Sequence, residues 1–100
     1  MTINPQFLPA EVKPLEQWQQ KFLEAADLIR TGGHCKGAVS LGSAHCLVGA
    51  LNAVRAEPIN DWRLRERIGG GGFADWNNAP DRTAAEVIAA LTAAALGDAR

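Results

Sequence analysis

His34-Cys35 recurs as His45-Cys46 eleven positions on, so two imidazoles and two thiols fall within thirteen residues. Tetrahedral zinc accepts that donor set. The spacing argues against it: adjacent residues rarely hold one metal together, and neither Cys-x2-Cys nor His-x3-His occurs. Cys46 also falls one turn before Ala50, on the side of a helix that should be buried, where a free cysteine packs as a small apolar residue. His34, Cys35, His45 and Cys46 are thus metal candidates by residue type alone. No metal or other cofactor is expected.

The same residues raise the question of thiol chemistry. Cys35 follows the turn Thr31-Gly32-Gly33, with His45 as a candidate base and Asn77 or Asn78 as a candidate orienting amide. A chain of one hundred residues leaves little room for a substrate pocket. No catalytic residue is assigned.

Trp76-Asn77-Asn78 sits just before a strong helix-start signal. Thr83 with Glu86 three positions on is a capping box, each side chain satisfying a backbone N–H that the helix leaves unpaired. Pro80 and Asp81 make the preceding turn, so Trp76, Asn77 and Asn78 are expected in an ordered loop at a helix entrance. There Trp76 reads first as a core anchor, with the two asparagines holding the loop through side-chain bonds to backbone. The functional alternative is a small pocket in which the amides serve as donor and acceptor pairs. Trp62 and Arg63, in Asp61-Trp62-Arg63-Leu64-Arg65-Glu66-Arg67, are further partner-binding candidates, an aromatic beside cations suiting a protein interface. The run Gly69 to Gly72 reads as a flexible linker. A phosphate loop would need a following lysine and Ser/Thr, or a preceding strand, and has neither.

The elements that must position these residues are mostly helical. The apolar fraction is 47%, but eighteen of those residues are alanine, which favours helix and close helix approach. Leu15, Trp18, Phe22, Ala25, Ala26 and Ile29 recur three or four apart, predicting an amphipathic helix from about Pro14 to Arg30, closed by Thr31-Gly32-Gly33. Residues 34–42 read as a short hairpin or an irregular loop. Ser43 is the expected cap of a second helix through Arg55, in which Gly49 demands a packing reason such as another backbone lying close. Asn60 or Asp61 caps a short third helix to Ile68. The last helix runs from Ala84 to Leu96, with Val87, Ile88, Leu91 and Ala94 or Ala95 inward, and stops at Gly97. Residues 1–13, with Pro5 and Pro9, read as an extended arm.

Ten basic and eleven acidic residues give a net charge of −1, which supplies no field for nucleic acid or an anionic membrane. No stretch approaches a membrane span, and the first thirteen residues hold no signal-peptide core. Cytoplasmic residence with reduced thiols is the resulting expectation.

The order of blocks is informative. Cys35-Lys36-Gly37-Ala38 is followed by Cys46-Leu47-Val48-Gly49-Ala50-Leu51 and then Trp76-Asn77-Asn78-Ala79-Pro80-Asp81-Arg82-Thr83. This resembles a family of short, uncharacterised bacterial and phage proteins with Cys-x-Gly-Ala, Cys-x-x-Gly-Ala-Leu and Trp-Asn-Asp-x-Pro-x-Arg-Thr blocks, over about residues 23–96. Asn78 stands where that pattern has aspartate, and His34 and His45 where it often has aromatics. The resemblance implies a compact helical cytoplasmic domain and brings no established activity. Occurrence in phage points to a host-directed or counter-defence role.

The expectation is a mainly α, compact single domain of four helices over residues 14–97, its first and last helices burying the most apolar surface. The expected function is a small non-enzymatic binding module, regulatory or inhibitory, acting on a protein partner. The alternative is a small-ligand or metal-binding protein built on the Cys/His and Trp-Asn-Asn elements. Ala85, Ala89 and Ala93 offer a second small-residue face through which two copies could pair.

Overall fold

The computed structural model describes residues 15–59 and 61–97. Among them are five helices and one hairpin, in the order α1 (Gln17–Gly32), β1 (Ser40–Leu41), β2 (Ala44–His45), α2 (Leu47–Ala53), α3 (Trp62–Arg67), α4 (Phe73–Asn77) and α5 (Ala84–Leu96). The expected arm, Pro14 and Asn60 lie outside the described residues.

The apolar stripe of α1 is realised: Phe22, Ala25, Ala26 and Ile29 are all buried. Gln19 sets its start twice over, accepting the Glu16 N–H at 2.7 Å and donating to the Ala95 carbonyl at 2.8 Å. The second bond brings the first turn of α1 to the last turn of α5. These two helices share the most extensive interface of the described residues, as the periodicity predicts. From α5 come Val87, Leu91, Ala94 and Ala95, the alanines letting the backbones approach. The predicted capping box holds, with the Thr83 N–H on Glu86 Oε1 at 2.9 Å and the Glu86 N–H on Thr83 Oγ1 at 3.1 Å.

The second helix is shorter than predicted, and Cys46, not Ser43, caps it: Cys46 Sγ accepts the Gly49 N–H at 3.3 Å. Ser43 is taken by the hairpin, where its hydroxyl donates to the Gly32 carbonyl at 3.1 Å and ties the turn to the end of α1. Gly49 has the packing reason its position demands. A Cβ built there would stand 1.9 Å from the Val39 carbonyl oxygen, so the loop before β1 lies on the helix backbone.

Asp61 caps α3, its Oδ1 accepting the Arg63 N–H at 2.8 Å. The glycine run after α3 is a structured junction. The Gly70 N–H bonds the Arg65 carbonyl at 2.8 Å and the Gly69 N–H bonds the Glu66 carbonyl at 3.3 Å, a paired closure of the helix end. It requires φ of +94° at Gly69, which only glycine adopts freely. Gly72 then caps α4, the element that the predicted set of four helices lacks. Five residues cannot display a helical period, so α4 is set by its surroundings.

Replacing Gly49 with alanine separates propensity from packing. Alanine in a helix is ordinarily worth about 1 kcal/mol over glycine, but here the methyl meets backbone. The expected outcome of G49A is a net loss of about 2 kcal/mol in urea unfolding, opposite in sign to the propensity scale.

Candidate functional site

The hairpin carries a third chain on its far side. Besides the antiparallel pairs Ser40↔His45 and Leu41↔Ala44, His34 pairs with His45 in parallel. The His45 N–H donates to the Gly33 carbonyl at 3.0 Å, and the Cys35 N–H donates to the His45 carbonyl at 3.1 Å. The next rung of this ladder would join the Cys35 carbonyl to the Leu47 N–H. The carboxamide of Asn77 occupies it instead. Its Nδ2 donates to the Cys35 carbonyl at 3.1 Å, and its Oδ1 accepts the Leu47 N–H at 2.9 Å.

Asn77 is fully buried, and its other two positions are also used. Nδ2 donates to Asn78 Oδ1 at 3.1 Å, and Oδ1 lies 2.7 Å from His34 Nε2. Rotating the amide by half a turn would set oxygen against the Cys35 carbonyl and N–H against the Leu47 N–H. The orientation is therefore determined, and because Oδ1 can only accept, His34 carries its proton on Nε2. Asn78 Oδ1 also accepts the Gly37 N–H at 3.0 Å. Lys36 Nζ adds bonds to the Ala79 and Pro80 carbonyls at 2.7 and 3.0 Å, placing a cation beyond the C-terminal end of α4.

The structure thus brings His34, Cys35, His45, Cys46, Asn77 and Asn78 into one neighbourhood. Trp76 and Asn77 lie in the last turn of α4 and Asn78 caps its end, rather than in a loop. The helix survives there because Lys36 and Gly37 tie down the residues that follow it. Asn77 is a structural tie of the kind expected of these amides, reaching across 42 residues to Cys35. Trp76 is half-buried against the core, with the Arg82 guanidinium 3.9 Å from its ring centroid. Arg82 Nε also donates to the Trp76 carbonyl at 2.9 Å.

Among the described residues no three His, Cys, Asp or Glu side chains are grouped to hold a metal ion. The donors instead have local uses. Cys35 Sγ donates to the Ala38 carbonyl at 3.4 Å and Cys46 caps α2. Burial pushes the Cys35 thiol up, the nearby Cys46 adds to that, and a backbone bond from Leu41 partly offsets it. This is the opposite of what a nucleophilic thiol requires. His45 Nδ1 is buried with no hydrogen-bond partner.

Trp62 and Arg63 lie elsewhere. The Arg63 guanidinium stands 3.9 Å from the Trp18 ring centroid and 5.1 Å from that of Trp62. It also pairs with Asp61, whose carboxylate is 3% exposed, at 3.0 Å. Arg63 is thus largely engaged within its own domain, whereas Trp62 is 62% exposed.

A feature absent from the sequence reading lies beside the Asn78 end of the site. Gly37, Ala38, Val39, Cys46, Val48, Ala74 and Asn78 line a hollow of about 270 Å³. A second, of about 360 Å³, adjoins it and takes in Ile59, Phe73 and Asp75. Val48 and Ala74 belong to both, so the two form one furrow. Val39 and Leu41, in the hairpin arm, are 54% and 61% exposed. The close approach demanded by Gly49 was the one sequence signal that a loop lay here.

A family model matches residues 14–96. The chain belongs to DUF6197, a family of unknown function. No curated protein and no solved structure matches it. Membership in DUF6197 places the whole Cys35–Asn78 neighbourhood and the furrow inside the family's own span. No described helix of this DUF6197 chain is long and apolar enough to cross a membrane.

Two outcomes check the site. N77A should cost at least about 3 kcal/mol, since it strands the buried Cys35 carbonyl and Leu47 N–H. N77D, similar in size but without the two donors, should recover none of that at pH 7, by urea titration. Cys35 should alkylate with iodoacetamide at least about 100-fold more slowly in the folded chain than in urea, at pH 8.

Proposed function

We propose that this chain is a small non-enzymatic binding module, regulatory or inhibitory, whose furrow receives apolar side chains of a protein partner. The observation that carries the reading is the apolar wall of Val48 and Ala74 shared by the two hollows, with the exposed Val39 lining the first. Contiguous apolar surface bordered by polar residues is the kind that interaction sites use.

Shape, not volume, favours a side chain over an enclosed small molecule. Ligand pockets usually hold about 300–1,000 Å³ and enclose most of the ligand. The hollows, at about 270 and 360 Å³, reach that size but lie open as one furrow. Two side chains of an extended or helical segment fit such a pair. Asn78, Asp75 and Arg65 supply the polar lining. Self-pairing of two copies has its own surface on α5, where Ala85 and Ala89 are exposed and Ala93 is half-buried.

The test compares wild type with A74E and V39E, both at exposed positions. The wild type should retain a stoichiometric protein from lysate of its source cell, and the purified pair should associate in sedimentation velocity. Each variant should weaken that association at least about tenfold with its melting temperature unchanged. Equal binding by all three, or no stoichiometric partner, defeats the reading.

A further inference from the structure

Cys35 and Cys46 follow His34 and His45, the two residues paired in parallel. Side chains matched across parallel chains project to the same face, and successive residues alternate faces. Cys35 and Cys46 therefore occupy the next matched positions, on the face opposite the two histidines. Chains paired in this way run about 4.8 Å apart, and a disulfide needs Cα atoms about 4.4–6.8 Å apart. Other contacts agree with this placement. Cys35 Sγ donates to the Ala38 carbonyl and the Cys46 N–H donates to the Val39 carbonyl at 3.1 Å, so both residues flank one short stretch. Both thiols are free and buried. They are about equally buried, at 7% and 6% exposed, but it is Cys46 that lines the first hollow.

We propose that Cys35 and Cys46 are a closable dithiol, oxidised by hydrogen peroxide that reaches Cys46 through the hollow. In the first step Cys46 Sγ takes one peroxide oxygen. The O–O bond breaks, water leaves, and Cys46 becomes a sulfenic acid. Cys35 Sγ then attacks the Cys46 sulfur. The S–S bond forms, and the sulfenic oxygen departs as water with the Cys35 proton. Two thiols and one peroxide yield one disulfide and two waters.

Closure would tie the chain before β1 to the start of α2, across the rung that Asn77 fills. The link needs no large movement, because its two ends are already neighbours in the paired strip. The test uses the purified chain with its furrow open, so its outcome does not depend on the partner reading.

The experiment treats the folded, reduced chain with millimolar hydrogen peroxide and follows intact mass, peptide linkage and melting temperature. The expected result is loss of two hydrogen atoms, a Cys35–Cys46 link within one chain, and a melting temperature higher by at least about 10 °C. Dithiothreitol should reverse all three. C35S should instead accumulate oxygen on Cys46, and C46S should leave Cys35 largely reduced. Oxygen gained by the wild type without loss of hydrogen overturns the proposal. So does a link formed only between chains, or closure only after unfolding in urea.

Discussion

The fold depends on one carboxamide. A two-residue hairpin and a single parallel pairing are too small to stand alone, and the ladder they begin stops where Cys35 and Leu47 diverge. Asn77 enters that gap as a surrogate peptide unit, offering a donor to one chain and an acceptor to the other. The strip is thereby bonded to α4, the hairpin to α2, and the loop at Gly37 to Asn78. Buried polar groups are costly when partly satisfied and specific when fully satisfied. Asn77 uses all four of its bonding positions, and no hydrocarbon of similar shape could do so.

Around that tie, the domain divides its work by chemistry. α1 and α5 supply the bulk of the apolar burial, and any well-sized aliphatic residues could serve them. The hairpin side is held by directional bonds from Lys36, Ser43, Asn77 and Asn78 to backbone atoms. This leaves the Val39 side chain without a role in the core, and the furrow that it lines is the consequence. Cationic side chains follow a similar economy. Arg63 and Arg82 lie over indole faces while pairing with Asp61 and Glu86, so guanidinium groups act here as packing plates as much as charges.

What the sequence could reveal follows from the range of each signal. α1 and α5 were legible because thirteen to sixteen residues repeat a period several times and carry local caps. The Asp61 cap and the stop at Gly97 are equally local. The end of α3 near Ile68 was legible too, but the order of the junction after it was hidden because a glycine run reads as freedom, whereas here two backbone bonds order it. α4 was invisible because its five residues hold no period and its end is secured by Lys36, forty-odd positions away. The displaced start of α2 has the same origin, since Ser43 satisfies the standard preference but is claimed by Gly32. For the site, the sequence named the residues that meet and the tying role of the asparagines, but not the backbone groups they tie. Asn77 gives no sign that it replaces a ladder rung, because that depends on where Cys35 and Leu47 come to rest. The furrow is assembled from residues of several segments, none unusual in its own neighbourhood.

The pairing of the first and last helices also bears on how the chain comes to be folded during synthesis. Phe22 and Ile29 lack one of their walls until Val87 and Leu91 have been made, and the strip at Cys35 lacks its wedge until residue 77. Contacts of such long sequence separation form late and slow the search. A nascent chain in which α5 has not yet been made leaves the α5-facing part of the α1 stripe uncovered. The domain is therefore completed only once α5 is available, and a truncation that removes α5 takes away half of its principal interface at a stroke.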